Sequence, residues 1–249
     1  MTDILLCGAN GKMGQVIHSC VSERDDMRIV AGIDINTVPY DNFPICSSFD
    51  DCAVSADVIV DFSNPVLLAP MLRYAQKIKL PVVIATTGYS EEQVAAIHAA
   101  AENIAIFFTF NMSLGINLLV DLSKKAAAVL GDSFDIEIIE KHHNQKIDAP
   151  SGTAIMLANA INESSDERYI YEYDRHSKRQ KRSRDEIGIH SVRGGTIVGE
   201  HEVVFAGRDE IVSLKHTAMS KQIFAVGAVN AAAFLKGKPA GLYSMKDMI

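Results

Sequence analysis

Apolar positions in the first half of the chain fall into short runs separated by amphipathic stretches. Ile4 to Cys7, Met27 to Ile33, Asp57 to Asp61, Pro81 to Ala85 and Ile104 to Phe108 read as strands. Helices are predicted between them: one ending near Glu23, one from Asn64-Pro65 to about Lys77, and one opened by the capping stretch Ser90-Glu91-Glu92. Strands alternating with helices imply a parallel sheet with helices on both faces. A long helix follows from Gly115 to Leu130, and a domain change is expected near its start. From Phe134 the pattern alters. The stretches 134–141, 187–192, 199–206 and 210–217 have strand periodicity with few helices between them, which implies a mixed or antiparallel second sheet. A helix after Ser151 covers that sheet, and Lys221 to Leu235 forms a helix of small residues.

Within the first strand–helix–strand unit lies Gly8-Ala9-Asn10-Gly11-Lys12-Met13-Gly14. Glycines there permit a tight turn and close approach of backbone to a ligand, so a pyrophosphate can rest on the helix start. Asp34 ends the second strand 20 residues after Gly14, placed to accept from ribose hydroxyls. An ordinary turn is the plain alternative for a lone glycine loop, but the flanking strand, helix and acid favour a dinucleotide site. The first domain is therefore read as Rossmann-like, and the whole as an α/β protein with a second, smaller α+β domain. Ala85-Thr86-Thr87 and Thr109-Phe110-Asn111-Met112 stand where strands end, beyond which ligands of open parallel sheets bind. On their own these are unremarkable polar loops.

The densest chemistry is Glu140-Lys141-His142-His143-Asn144-Gln145-Lys146-Ile147-Asp148-Ala149-Pro150-Ser151-Gly152-Thr153-Ala154. It runs from a strand end through a polar loop to a helix start, combining proton donors with an anion-binding helix end. If the strand continued, His142 and His143 would point to opposite faces and serve different roles. Adjacent histidines chelate one ion poorly and no third ligand is evident, so no metal is expected.

This stretch resembles the signature of the 4-hydroxy-tetrahydrodipicolinate (dihydrodipicolinate) reductase family, Glu-x-His-His-x-x-Lys-x-Asp-Ala-Pro-Ser-Gly-Thr, at every fixed position. The order of motifs agrees over nearly all of the chain. The resemblance implies NADH- or NADPH-dependent reduction of a small cyclic dicarboxylate in diaminopimelate and lysine biosynthesis. It implies Lys146 as proton donor, His142 as proton donor or acceptor, and His143, Gly152 and Thr153 as substrate contacts. It assigns Gly8, Ala9, Asn10, Gly11, Lys12, Met13, Asp34, Ala85, Thr86, Thr87, Thr109, Phe110, Asn111 and Met112 to the cofactor. It further implies residues 1–112 and 221–249 as the dinucleotide-binding domain, 113–220 as the substrate and oligomerisation domain, and a homotetramer joined through the second sheets. Many relatives carry Arg after the acid that ends the second strand; here Ile35 stands there, which favours NADH at least as much as NADPH.

Composition narrows the picture further. The chain has 249 residues, 48% of them hydrophobic, and a net charge of −7. That charge argues against nucleic-acid or anionic-membrane binding, so an anionic ligand needs local positive groups. Residues 175–184 hold six Lys or Arg, either a solvated loop or a field that draws in an anionic substrate. All four cysteines, Cys7, Cys20, Cys46 and Cys52, come early and without zinc spacing, as free thiols of a cytoplasmic protein would. No apolar run suits a signal peptide or a membrane span. No tyrosine has a lysine four positions later, unlike short-chain dehydrogenases, and no cysteine beyond Cys52 offers a thioester nucleophile. Two readings compete with the reductase: a dinucleotide sensor that binds NADH without oxidising it, and a dehydrogenase of a different small acid.

Overall fold

Ile4, Leu5, Leu6 and Cys7 are all buried, and this sets the architecture of the first half. A strand turns successive side chains to opposite faces, so a run buried at every position needs cover on both sides. The computed structural model describes residues 1–248. It divides into two compact units, Met1–Ser113 together with the segment from Gln222 onward, and Leu114–Lys221.

The first unit begins β1 (Thr2–Cys7), α1 (Lys12–Ser22), β2 (Met27–Ile33), β3 (Ile45–Cys46) and β4 (Val58–Asp61). It continues α2 (Leu68–Ile78), β5 (Val82–Ile84), α3 (Glu91–Ala101) and β6 (Ala105–Phe108). The second unit contains α4 (Leu114–Leu130), β7 (Asp135–His142), α5 (Gly152–Glu163) and β8 (Ile170–Glu172), then β9 (Glu186–Arg193), β10 (Gly199–Ala206) and β11 (Ile211–Ala218). The chain returns to the first unit with α6 (Gln222–Leu235) and β12 (Gly241–Tyr243).

The first sheet is parallel, in the order β12-β6-β5-β4-β1-β2-β3. Ile4, Leu6, Val58, Val60 and Phe107 pack on one face with α1 and α6, while Leu5, Cys7, Ile59, Val82 and Ile84 pack on the other with α2 and α3. Each fully buried Leu, Ile or Val contributes about 1.5–3 kcal/mol, so the doubly covered strands carry much of this unit's stability. The small residues of α6 have a packing cause: a Cβ on Gly227 would stand 1.8 Å from the Met112 carbonyl oxygen, so only glycine allows that approach.

The second sheet runs β11-β10-β7-β9-β8, antiparallel at its first two junctions and parallel at the last two. Strand β7 buries every second residue: Ile136, Ile138, Glu140 and His142. The inward series is apolar against α4 and α5 and turns polar at the strand's end. That change places two ionisable side chains in line with a hydrophobic core.

Three strands escaped the periodicity: β3, β8 and β12. Each is two or three residues long and lies at a sheet edge, where a single partner suffices. The helix expected from Asn64-Pro65 opens instead as a 3-10 turn over Pro65–Leu67, capped by Asn64 accepting from the Val66 N–H, before α2 begins. The basic stretch 175–184 is no simple solvated loop. Arg182 donates to Glu137 and Asp135 at 2.9 Å and to the carbonyls of Ile136 and Glu186, tying β7 to β9. Arg175 pairs with Glu186, and Lys178 with Glu172. Half of the stretch's charge is thus neutralised within the unit.

Candidate active site

Glu140, at 0% exposure, is the organising group of the second unit. Arg193 grips both carboxylate oxygens, Nη1 donating to Oε2 at 2.7 Å and Nη2 to Oε1 at 2.6 Å. The Ser151 N–H donates to Oε1 at 3.0 Å, and His142 Nδ1 lies 2.6 Å from Oε2. Burial works to raise the Glu140 pKa, but the Arg193 fork and the His142 hydrogen bond bring it down to about 2. An ionised carboxylate can only accept, so the proton of this bond belongs to His142 Nδ1. Burial also holds the His142 pKa below the usual range, against the opposing pull of Glu140 and with help from the charges of Lys146 and Arg193. The ring is therefore mostly neutral at pH 7, with Nε2 as its lone-pair nitrogen. A Cβ on Gly199 would come 3.2 Å from that Nε2, so the glycine leaves room for the ring.

A second buried histidine supports the first. His201 on β10 stands edge-on to His142, centroids 5.2 Å apart, and its Nε2 is 2.9 Å from Ser151 Oγ. Burial, then the nearby His142, lowers its pKa to about 4. Ser151 Oγ also accepts from the Ala154 N–H at 3.2 Å, capping α5.

The loop from His143 to Pro150 is tied down at its base. The Asn144 N–H donates to the Gly195 carbonyl, and Gly194 N–H to that of His142. Arg193 Nη2 donates to the Asp148 carbonyl at 2.7 Å, so one guanidinium holds both Glu140 and the loop. Lys146 pairs with Asp148 at 2.8 Å. His142, at the end of β7, is buried, while His143 beyond it is only half-buried. Gly152 and Thr153 open α5, where backbone N–H groups outnumber their partners within the helix. A Cβ on Gly152 would meet nothing within 4 Å, so the fold leaves open space over the helix start.

The first unit shapes a different kind of site. Gly8 has a φ of +77°, and a Cβ on it would meet the Phe62 carbonyl oxygen at 2.5 Å. A Cβ on Gly14 would lie 2.2 Å from the Gly8 carbonyl oxygen. Helix α1 starts at Lys12 with Gly11 as its cap, and no side chain caps its N–H groups. Asp34 accepts from the Asn10 N–H at 2.9 Å and from the Asn36 N–H at 3.1 Å. Asn10 Nδ2 donates to the carbonyls of Asn36 and Val38, and Tyr40 OH to that of Ala9. Lys12 and Thr87 are exposed, Met13 half-buried, and Ile35 is 98% exposed beside Asp34. An uncapped helix start facing a glycine turn, with a carboxylate at the end of β2, fits a nicotinamide dinucleotide.

The remaining predicted cofactor residues follow β5 and β6. Ala85 and Thr86 are buried, Phe110 is exposed, and Thr109 Oγ1 donates to the Asn111 carbonyl at 3.2 Å. Met112 is buried with its carbonyl against α6. Beneath them sits Asp61, buried at the end of β4. It accepts from Ser63 Oγ at 2.5 Å and Tyr89 OH at 3.2 Å, while the Ser63 N–H donates to Thr86 Oγ1 at 2.8 Å. Burial raises the Asp61 pKa against these hydrogen bonds. Asp61, Arg193, His201 and the anchoring role of Glu140 were missed by sequence reasoning. The one available signal was the polar residue ending the apolar run Val58-Ile59-Val60. Among the described residues, no group of three or more His, Cys, Asp or Glu side chains is placed to hold a metal ion.

A Rossmann-like cofactor unit combined with a mixed-sheet unit bearing an acid–base cluster defines an NAD(P)H-dependent oxidoreductase. Residues 2–112 match the family model described as "Dihydrodipicolinate reductase, N-terminus", and residues 115–249 the one described as "Dihydrodipicolinate reductase, C-terminus". A relative from Caldanaerobacter subterraneus subsp. tengcongensis, named 4-hydroxy-tetrahydrodipicolinate reductase, is 49% identical across 100% of this chain and 98% of its own. One of the same name from Clostridium tetani is 47% identical across 100% and 97%. A solved dipicolinate-bound dihydrodipicolinate reductase from Paenisporosarcina sp. TG-14 superposes with a TM-score of 0.82 at 26% identity, covering 100% of both chains. The chain belongs to the dihydrodipicolinate reductase family.

Proposed function

We propose that the chain reduces 4-hydroxy-tetrahydrodipicolinate to tetrahydrodipicolinate with NADH or NADPH, in diaminopimelate and lysine biosynthesis. The observation that carries this reading is one short segment of the second unit. A neutral His142 with a defined tautomer, the Lys146 ammonium and the open start of α5 all lie between Glu140 and Thr153. A small cyclic dicarboxylate suits this segment: helix-start N–H groups at Gly152 and Thr153 favour one carboxylate, and His143 contacts the substrate from the half-buried side. The dipicolinate carried by the Paenisporosarcina protein supports that substrate class.

When bound, the reduced nicotinamide supplies a hydride. The substrate first loses water, its hydroxyl leaving with a proton from a neighbouring ring carbon, and the conjugated framework that then receives the hydride gains electron density and requires a proton. Lys146 gives that proton, and His142 Nε2, at the end of β7, accepts the ring proton lost with the water, while Arg193 and Gly195 tie down the loop that carries Lys146. Glycines 8, 11 and 14 and the start of α1 would hold the pyrophosphate, and Asp34 the adenosine ribose. Ala85, Thr86, Thr87 and the residues from Thr109 to Met112 would line the nicotinamide half. With Ile35 beside Asp34 there is no Arg at that position for a 2′-phosphate.

The same reading makes the protein a cytoplasmic homotetramer with Met1–Met112 and Lys221 onward as cofactor domain. Four free thiols and the absence of any described helix long and apolar enough to cross a membrane are consistent with that compartment. Assembly through the second sheet is supported by its outer face, where Ile139 and Val204 are half-buried and Val192 and Ile211 exposed. Light scattering that gives a monomer at assay concentrations contradicts the tetramer. Cofactor oxidation with freshly made substrate and both nicotinamides tests the function. Turnover is expected, with kcat/KM for NADH at least equal to that for NADPH. Binding of NADH without turnover points to a sensor, and a more than tenfold advantage for NADPH overturns the cofactor assignment.

A further inference from the structure

We propose that Glu140 is a positioning residue that fixes the tautomer of His142 and, through the same carboxylate, sets the helix start and the loop around it. The inference rests on the reductase reading above, but its own evidence is geometric. The two oxygens of Glu140 divide their work. Oε2 takes His142 Nδ1, and Oε1 takes the Ser151 N–H immediately before the two substrate-contact residues. Arg193 closes the arrangement, with Nη2 shared between Oε1 and the Asp148 carbonyl of the loop that carries Lys146. The proton acceptor, the carboxylate-binding helix start and the base of the proton-donor loop therefore share one fully buried anchor.

The anchor has a direct chemical consequence. Because the ionised carboxylate accepts from Nδ1, the lone pair is presented at Nε2, on the side where Gly199 leaves space. A ring free to exchange tautomers would offer a donor there part of the time. An Asp that holds a catalytic histidine in one tautomer is a known device, and its loss is severe even when geometry survives. The charges facing His142 come from Glu140 on its own strand, Lys146 on the loop, Arg193 on β9 and, beyond the ring contact, His201 on β10.

Glu140→Gln makes the claim testable, since it is the same size. Its amide must replace one oxygen by an NH2 group. On the Oε1 side that group would face the Ser151 N–H, a donor that cannot adapt. Either side would set it against one Arg193 N–H, but on the Oε2 side its other neighbour is His142, whose ring can respond by moving its proton to Nε2. The expected result is a folded variant in which nitrogen-15 NMR of the imidazole shows the Nε2–H form in place of Nδ1–H. Its kcat should fall about 10²-fold or more, with an unchanged Kd for NADH. Retention of the Nδ1–H form with near-wild-type kcat overturns the proposal. If Glu140→Gln does not fold, Glu140→Asp takes over, keeping the charge but drawing it away from the ring. A fall in kcat of about 10²-fold supports the proposal, as a misplacement of about 1 Å costs that much, and near-wild-type kcat overturns it. Wild-type protein that fails to turn over the substrate defeats the reductase reading, whereas the tautomer measurement still decides the role of Glu140.

Discussion

The glycine turn after β1 and the stretch from Glu140 to Thr153 build sites by opposite means. In the first, backbone does the work: glycines let carbonyls and a helix start come together, and Asp34 holds the turn through the N–H groups of Asn10 and Asn36. In the second, His142 of β7 and Arg193 of β9 converge on one buried carboxylate, and His201 of β10 meets Ser151 beside it. A backbone site depends on what is absent, namely Cβ atoms. A side-chain site depends on charges being paired where water cannot reach them. Substitutions should therefore fail differently in the two regions, by steric exclusion in one and by orphaned charge or lost proton transfer in the other.

The largest stability effect is expected from Arg193→Ala. It leaves the Glu140 carboxylate buried without its cation, which typically costs about 3–5 kcal/mol. Denaturant unfolding should show this loss, and a change within about 0.5 kcal/mol would mean that the pair is not what holds the second region together. Next comes Gly14→Ala. Its Cβ would stand 2.2 Å from one backbone oxygen and 2.5 Å from another, neither of which can rotate away. A loss of about 1–3 kcal/mol and weaker NADH binding are expected, read by thermal shift and fluorescence titration. Unaltered binding would break the claim that this site is made by backbone approach.

Ile35→Arg should act on cofactor choice alone. The side chain is exposed, so stability should hold, while kcat/KM for NADPH relative to NADH rises on the order of tenfold, the scale of one charge-assisted hydrogen bond. No change in that ratio would separate the position from the 2′-phosphate.

The smallest and most gradual effect is on acid stability. His201 has a pKa of about 4 when folded against an ordinary 6.5, so its stabilising contribution is present above pH 6.5 and fades as pH falls toward 4. Glu140 has a folded value of about 2 against 4.5, so its contribution is lost between pH 4.5 and 2. Melting temperature should be level above 6.5, decline below it and fall more steeply under 4.5. In a His201→Asn variant the first decline should be reduced. The part that remains belongs to His142 and His216, which burial also holds below the ordinary range, and a first decline of unchanged size would remove His201 from the account.

This contrast also explains what the sequence could reveal. The glycine turn, its flanking strands and Asp34 lie within one local stretch, so their spacing alone carries the geometry. The signature from Glu140 to Thr153 was equally visible as a string of residue types. Its supports were not: Arg193 and His201 reach Glu140 and Ser151 only through the pairing of β9 and β10 with β7. Nothing in the alternation of β10 distinguishes His201 from an ordinary inward residue until the register is known. Asp61 was hidden in the same way, since its partners Ser63, Thr86 and Tyr89 come from the ends of two strands. The edge strands β3, β8 and β12 were too short to show a period. Arg182 looked like one more charge in a basic run because the carboxylates it pairs with lie more than 40 residues away on β7.

The central claim is that hydride-carrier binding and proton delivery belong to separate parts of the chain. Its most direct test is Lys146→Ala, measured for NADH affinity and for turnover on the same folded sample. An unchanged Kd for NADH is expected, because the glycine turn belongs to the other unit, with kcat lowered by roughly 10²–10⁴, as for a lost general acid. A stable Lys146→Ala protein that binds NADH and retains near-normal kcat would contradict it.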